Sequence, residues 1–113
     1  MDGDGYSAVL LSSPIVKEML KTVAKDFAWV IIDSPPVMAV TDASLIANLV
    51  GGVVFVVAAE QTMGPIAVNA LDQLDGANAT FVGAVLNRVD LERNAFFYSS
   101  YYRPEYGKYY VPN

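Results

Sequence analysis

Trp29-Val30-Ile31-Ile32-Asp33-Ser34-Pro35-Pro36 is the stretch on which the reading of the chain turns. Large apolar and β-branched residues run together and then stop at an acid, a hydroxyl and two prolines. Such a run is the signature of a strand buried on both faces. The prolines end it, because neither can donate to a ladder. Asp33 is therefore expected where a strand leaves the carboxyl edge of a sheet, the edge at which open α/β sheets bind ligands.

Working outward, the same alternation of elements repeats. Upstream, Ser13-Pro14 reads as a helix entry, with Ser13 as N-cap and Pro14 in the first turn. Val16, Met19, Leu20, Val23 and Phe27 follow at helical spacing, while Lys17, Lys21 and Lys25 fall on the other side as a solvated face. Downstream, Thr41-Asp42 is expected to cap a helix over 43–49 with a side-chain oxygen and a negative charge. Gly51-Gly52 ends it. A strand over 53–57, a helix opened by Pro65 and running to about Leu74, and a strand over 80–86 complete the series. Ile66, Ala67, Ala70, Leu71 and Leu74 mark the apolar face of that last helix. Asn87-Arg88 stands at the carboxyl end of the last strand.

Helix and strand alternating with short links is the pattern of a parallel sheet with crossover helices. All three strands read as continuous apolar runs, which fits a sheet covered on both faces. Three strands are few for such a domain. The expected fold class is α/β, a partial doubly wound parallel sheet, with a first half missing.

Composition narrows the chemistry. A chain of 113 residues is one small domain or a piece of a larger one, and 54% hydrophobic residues supply material for a core. The net charge of −5 argues against binding nucleic-acid backbones. Cysteine and histidine are both absent, which excludes disulfides, Cys/His zinc sites and His-based triads. A metal could be held only by oxygen ligands, which points to magnesium or calcium. The N-terminus lacks the basic and apolar regions of a signal peptide. Residues 43–59 carry no charge and approach the ~20 residues of a membrane span, but Gly51-Gly52 divides them and a β-branched run follows. A short helix, a turn and a buried strand explain them better, and a soluble domain is expected.

From Asn94 the character changes. Six of the seven tyrosines, Tyr98, Tyr101, Tyr102, Tyr106, Tyr109 and Tyr110, lie among serine, glycine, proline and charges, with no helical or strand period. This reads as a mobile terminal segment. Its tyrosines suit either phosphate acceptance or a generic recognition surface.

An acid at the end of a buried apolar strand has the form of a Walker B element, whose carboxylate serves the magnesium that bridges phosphate oxygens. Asp-Ser-Pro also makes a good turn, and that plainer role stays open. The G-x-x-x-x-G-K-[ST] loop that would cradle phosphates has no match in the chain. Gly107-Lys108 precedes a tyrosine, and the remaining lysines all belong to the first helix. Without such a loop, Asp33 would hold at most a weak metal site.

Leu10-Leu11-Ser12-Ser13, Val30-Ile31-Ile32-Asp33-Ser34-Pro35-Pro36-Val37, Val40-Thr41-Asp42-Ala43 and Val85-Leu86-Asn87-Arg88-Val89 occur in order and end in a tyrosine cluster. Together they resemble the C-terminal half of the bacterial tyrosine kinases of capsular and exopolysaccharide synthesis, related to chain-length determinant proteins. The resemblance covers Leu10 to the C-terminus. It implies a P-loop NTPase-like fold lacking its Walker A half. By that likeness Asp33 is the Walker B, magnesium-side aspartate, and Ser34 completes its motif in the cofactor site. Asn87 falls near the adenine. The six tail tyrosines become autophosphorylation sites presented between subunits of a ring.

ATP and Mg2+ are the cofactors implied for the complete domain, with neither expected to bind this chain tightly by itself. The implied partners are other kinase subunits and a membrane polysaccharide co-polymerase or activator, with a cytoplasmic location at the inner face of the membrane and no nucleic acid. The chain departs from the family in its first nine residues, in the missing Walker A loop and upstream aspartate motif, and in Ala58, where an arginine is common. It reads as a divergent start over 1–9, half of an α/β domain over 10–93 and a tail over 94–113, inactive alone. Two other readings stand beside this one: a non-catalytic partner of a membrane polysaccharide protein, and half of a ParA/MinD-type ATPase.

Overall fold

The computed structural model describes residues 9–93 and Ala95. The expected divergent start, except Val9, and the whole tyrosine cluster lie outside the described residues. After a short helical stretch at 9–11 come α1 (Pro14–Asp26), α2 (Asp42–Leu49), β1 (Val53–Ala58), α3 (Gly64–Gly76) and β2 (Phe81–Asn87). The architecture is α/β, with a two-stranded parallel sheet joined by the α3 crossover.

The helix ends follow local chemistry. The Ser13 hydroxyl accepts the Ile15 amide at 3.2 Å, and Pro14 occupies the first turn, where its missing N–H costs nothing. Helix α2 begins one residue earlier than expected, at Asp42, whose charge favours its amino end. Thr41, expected to cap it, sits in a helical conformation and makes no side-chain cap bond. Its carbonyl accepts the amides of Ser44 and Leu45. Just beyond the end of helix α3 and its cap residue Ala77, Asn78 takes the left-handed conformation (φ 61°). The Ala79 amide then reaches back to the Leu74 carbonyl at 3.0 Å, satisfying one of the helix's orphan acceptors.

The core is small and sits on one side of the sheet. Ala47 of α2, Phe55 of β1, and Ala70 and Leu74 of α3 pack together, with Val37, Val53, Val57, Ala67, Leu71 and Ala79 around them. Leu74 is the most enclosed of the buried residues, at 2% exposure. Along β1 burial alternates: Phe55 is buried, while Val54 and Val56 face outward and are more than half exposed. Every residue of β2 is exposed. Strands buried on both faces were expected, so this is a correction. Helices α2 and α3 cover one face, and no described residue covers the other. A glycine matters at the strand entrance, because a Cβ at Gly52 would collide with the Val82 side chain whereas Gly51 borders open space.

The stretch that opened the reading departs most. Residues 29–36 form neither helix nor ladder, and no backbone hydrogen bond joins them to a strand. Trp29 and Ile31 are 87% and 91% exposed. Val30 and Ile32 line a groove with Leu20 and Ala24 of α1, with Phe27 just beyond that helix, and with the end of α2. The segment thus keeps the two-residue alternation of a strand without a partner to pair with. Helix α1 buries no residue completely; Val16, Leu20 and Val23 are half-buried, while Met19 and Phe27 remain largely exposed. Among the described residues no helix is long and apolar enough to cross a membrane.

Candidate functional site

Asp33 lies on a groove of about 890 Å3 between residues 29–37 on one side and the α2 end, Gly51-Gly52 and β1 on the other. Its lining is almost wholly aliphatic and aromatic. Among the described residues, Asp33, Ser34 and the Trp29 indole are its only polar side chains, and no cationic residue lines it. Pro35 and Pro36 hold the chain extended and remove two backbone donors beside Asp33. The carboxylate is exposed, so its lone pairs are open to solvent, as a magnesium ligand's must be before binding.

Ser34 is partly committed elsewhere. Its hydroxyl donates to the Pro35 carbonyl at 3.1 Å, leaving its oxygen lone pairs for an incoming group. Asn87 is not part of the groove. Its carbonyl accepts the Ala59 amide at 2.8 Å and closes the carboxyl end of the two-stranded ladder. Asp33 and Ser34 share the groove, and Asn87, outside its lining, ends β2. The tail tyrosines 98, 101, 102, 106, 109 and 110 lie outside the described residues.

The donor set fits a hard divalent cation in chemistry. Magnesium is held by one or two carboxylates while keeping waters and taking substrate phosphates as further ligands. Asp33 supplies one such carboxylate. Among the described residues, no group of three acidic, histidine or cysteine side chains is placed to hold a metal by itself.

Two features beside the site were not legible in the sequence. Asp42, read as a charge for the α2 amino end, has its Oδ1 buried with no hydrogen-bond partner among the described residues. A buried acceptor without a donor is uncommon in folded proteins. The second lies at the strand ends, where Glu60 and Arg88 both adopt left-handed backbone (φ 61° and 56°) just beyond the last paired residues, Ala58 and Asn87. Arg88 Nη1 donates to Gln61 Oε1 at 3.0 Å, and Arg93 pairs with Glu60 at 3.4 Å. These bonds tie the loop after β1 to the segment after β2. No sequence period announces left-handed Glu or Arg, and neither is a residue type that favours it.

Comparison with known proteins gives consistent matches. The chain is 31% identical over 102 residues to the tyrosine-protein kinase YwqD of Bacillus subtilis, covering 90% of this chain and 39% of that protein. It is 34% identical over 87 residues to the tyrosine-protein kinase CpsD of Streptococcus pneumoniae, covering 77% of this chain and 38% of the relative. It is 31% identical over 108 residues to the succinoglycan biosynthesis transport protein ExoP of Rhizobium meliloti, covering 92% and 14%. The chain thus spans less than half of the length of each. No family model matches it. No solved structure matches it either.

Proposed function

We infer the function from the family to which this chain belongs, the bacterial tyrosine-protein kinases, of which it represents a part. It carries the aspartate side of an ATP-dependent kinase site of P-loop NTPase-like fold, in a unit spanning 10–93, and a set of acceptor tyrosines over 94–113. Asp33 serves magnesium, Ser34 supports it, and Asn87 lies toward the adenine side. In the assembled kinase, Mg2+ neutralises charge on the transferred phosphoryl group.

The residues of this chain do less than the whole reaction. Asp33 fixes the metal's position, Pro35-Pro36 stiffens the loop that carries it, and Tyr98, Tyr101, Tyr102, Tyr106, Tyr109 and Tyr110 present hydroxyls to a neighbouring subunit's site. Each phosphate added there brings roughly −1.5 to −2 charge, so a modified cluster repels itself and loosens subunit contacts within a ring. The physiological setting is polysaccharide synthesis or export at the cytoplasmic face of the membrane, reached through a membrane partner protein.

The observation that carries this reading is Asp33 itself, an exposed carboxylate at the end of an apolar segment, on a groove with no cation among the described residues. Among the described residues no cation lines that groove to receive a phosphate, which supports the reading that the chain is inactive alone. The bare outer face of β1 also favours a second reading, a non-catalytic partner that docks on a polysaccharide protein. Co-purification with such a protein that survives Asp33→Ala and is lost on tail deletion would favour it.

The test is incubation of the purified chain with radiolabelled ATP and Mg2+, with and without intact YwqD. Label on the tail tyrosines only when YwqD is present is the expected outcome. Self-labelling refutes inactivity alone, and absence of label in both refutes the acceptor role.

A further inference from the structure

Positive charge is concentrated on one face of α1. The cationic side chains among the described residues are Lys17, Lys21, Lys25, Arg88 and Arg93. Both arginines are engaged, Arg88 with Gln61 and Arg93 with Glu60. The three lysines recur at every fourth position of α1 and are all exposed, so they form one ridge about 12 Å long. Lys21 meets Glu18 at 3.7 Å, but both side chains are well over half exposed, and such a pair is weak in water. Among the described residues no ion pair engages Lys17 or Lys25. Asp26 projects about 140° around the helix from Lys21, away from the ridge. Like charges four residues apart disfavour a helix, and an anion laid along the ridge relieves that repulsion.

We propose that this ridge is the docking site for the chain's own segment 94–113 once its tyrosines carry phosphate. The proposal rests on the acceptor reading above and adds where the modified segment goes. Unmodified, that segment carries Arg103 and Lys108 against Glu105, two cations against one acid, and the ridge repels it. Each phosphate adds roughly −1.5 to −2 charge, so a single one reverses the sign.

Spacing supports the match. Lysines four apart on a helix stand about 6 Å from each other along the axis, so one phosphate can accept from two ammonium groups. In an extended chain Tyr102 and Tyr106 stand about 13 Å apart on one side, as do Tyr106 and Tyr110. Either pair fits the ~12 Å from Lys17 to Lys25.

Reach does not limit it. Tyr106 and Tyr110 follow Arg93 by contours of about 43 and 56 Å, and the molecule's longest dimension is 49 Å. Tethering also raises the local concentration of the chain's own segment above that of a neighbour's. Docking holds the modified segment on its own subunit and withdraws it from a neighbour's site, so phosphorylation ends the presentation of its own acceptors. Free nucleotide and anionic lipid offer the same charge, but neither carries phosphates fixed at the spacing of the ridge.

The test uses the full 113-residue chain with phosphotyrosine installed at Tyr102, Tyr106 and Tyr110 by ligation of a synthetic C-terminal segment. Gly107→Cys carries a spin label, in a chain with no other cysteine. Paramagnetic broadening of the α1 amides, read by NMR, reports contact. Phosphorylation should raise the docked-to-free ratio by about tenfold, as two or three charge-assisted contacts would. The gain should be lost at high salt and be independent of protein concentration. Replacing all three lysines (K17Q, K21Q and K25Q together) should abolish it, and the matching arginine replacements should keep it; all three positions are exposed, so α1 stays folded.

Equal broadening with and without phosphate would overturn the proposal, as would broadening that persists in the glutamine variant. Broadening that grows with protein concentration would place the segment on a neighbour instead. A ridge that responds to phosphatidylglycerol vesicles or to ATP, and not to the tail phosphates, would assign it to another anion. Because the phosphates are installed chemically, docking is read whether or not a kinase modifies these tyrosines, and labelling by YwqD tests that reading separately.

Discussion

The Ala59 amide donates to the Asn87 carbonyl at 2.8 Å, and one residue beyond each of them, Glu60 and Arg88, the backbone turns left-handed. The carboxyl end of the sheet is thereby finished by two strained turns that lean on each other through Arg88–Gln61 and Arg93–Glu60. Residues held in disfavoured backbone conformations persist only where surrounding contacts fix them.

Glu60→Gly should relieve that strain and cost the Arg93 pair. The pair is largely exposed, so its own contribution is at most about 1 kcal/mol and is screened by salt. Strain relief for a left-handed non-glycine residue is about 1–2 kcal/mol. The variant is therefore expected to be as stable as the parent or slightly more so, and its advantage should grow with added salt. Thermal unfolding at low and high ionic strength measures it.

Asn78 closes α3 in the same left-handed region, where asparagine is tolerated and β-branched residues are not. Asn78→Gly should leave the melting temperature unchanged or raise it slightly. Asn78→Val should destabilise by about 1–2 kcal/mol. Reversed order in paired thermal melts would contradict the cap assignment.

Gly51 and Gly52 are adjacent and differ sharply in surroundings. An alanine at Gly51 enters open space, while one at Gly52 must displace Val82. Gly51→Ala should be neutral or stabilising by about half a kcal/mol. Gly52→Ala should cost about 1 kcal/mol, the low end for overpacking because Val82 is exposed and can move. Urea midpoints of the two variants separate the effects.

Leu74 is the centre of a core of few residues. Leu74→Ala should cost about 2–5 kcal/mol, a large share of the stability of a small domain. Near-ultraviolet circular dichroism should show loss of the native signal of Phe55's surroundings, and retention of a cooperative transition at the parent midpoint would be the contrary result.

Much of the fold was legible because it is local. The Ser13-Pro14 entry, the Pro65 start of α3 and the Val53 and Phe81 strands each follow from capping chemistry, fixed proline φ or β-branched runs. The failure at Trp29–Ile32 has a different origin. Its apolar run predicts a strand that the structure does not form, because pairing is a property of two segments, and the sequence of one cannot show whether a neighbour is beside it. The same reason explains β1, read as buried on both faces and found with Val54 and Val56 bare.

At the site, Asp33 was legible from the abrupt end of its run. Thr41 failed as a cap because its backbone is already helical, a feature that residue type does not fix. The left-handed Glu60 and Arg88 had no signal, since neither residue type favours that region.

The most direct measurement of the half-site is calorimetric titration of the chain with Mg·ATP, alone and in the presence of the separately expressed remainder of YwqD, with Asp33→Asn in parallel. No saturable binding to the chain alone, binding in the mixture, and its loss in the Asp33→Asn mixture are the expected results. Saturable Mg·ATP binding to the chain alone, or binding in the mixture that is indifferent to Asp33, would contradict the assignment.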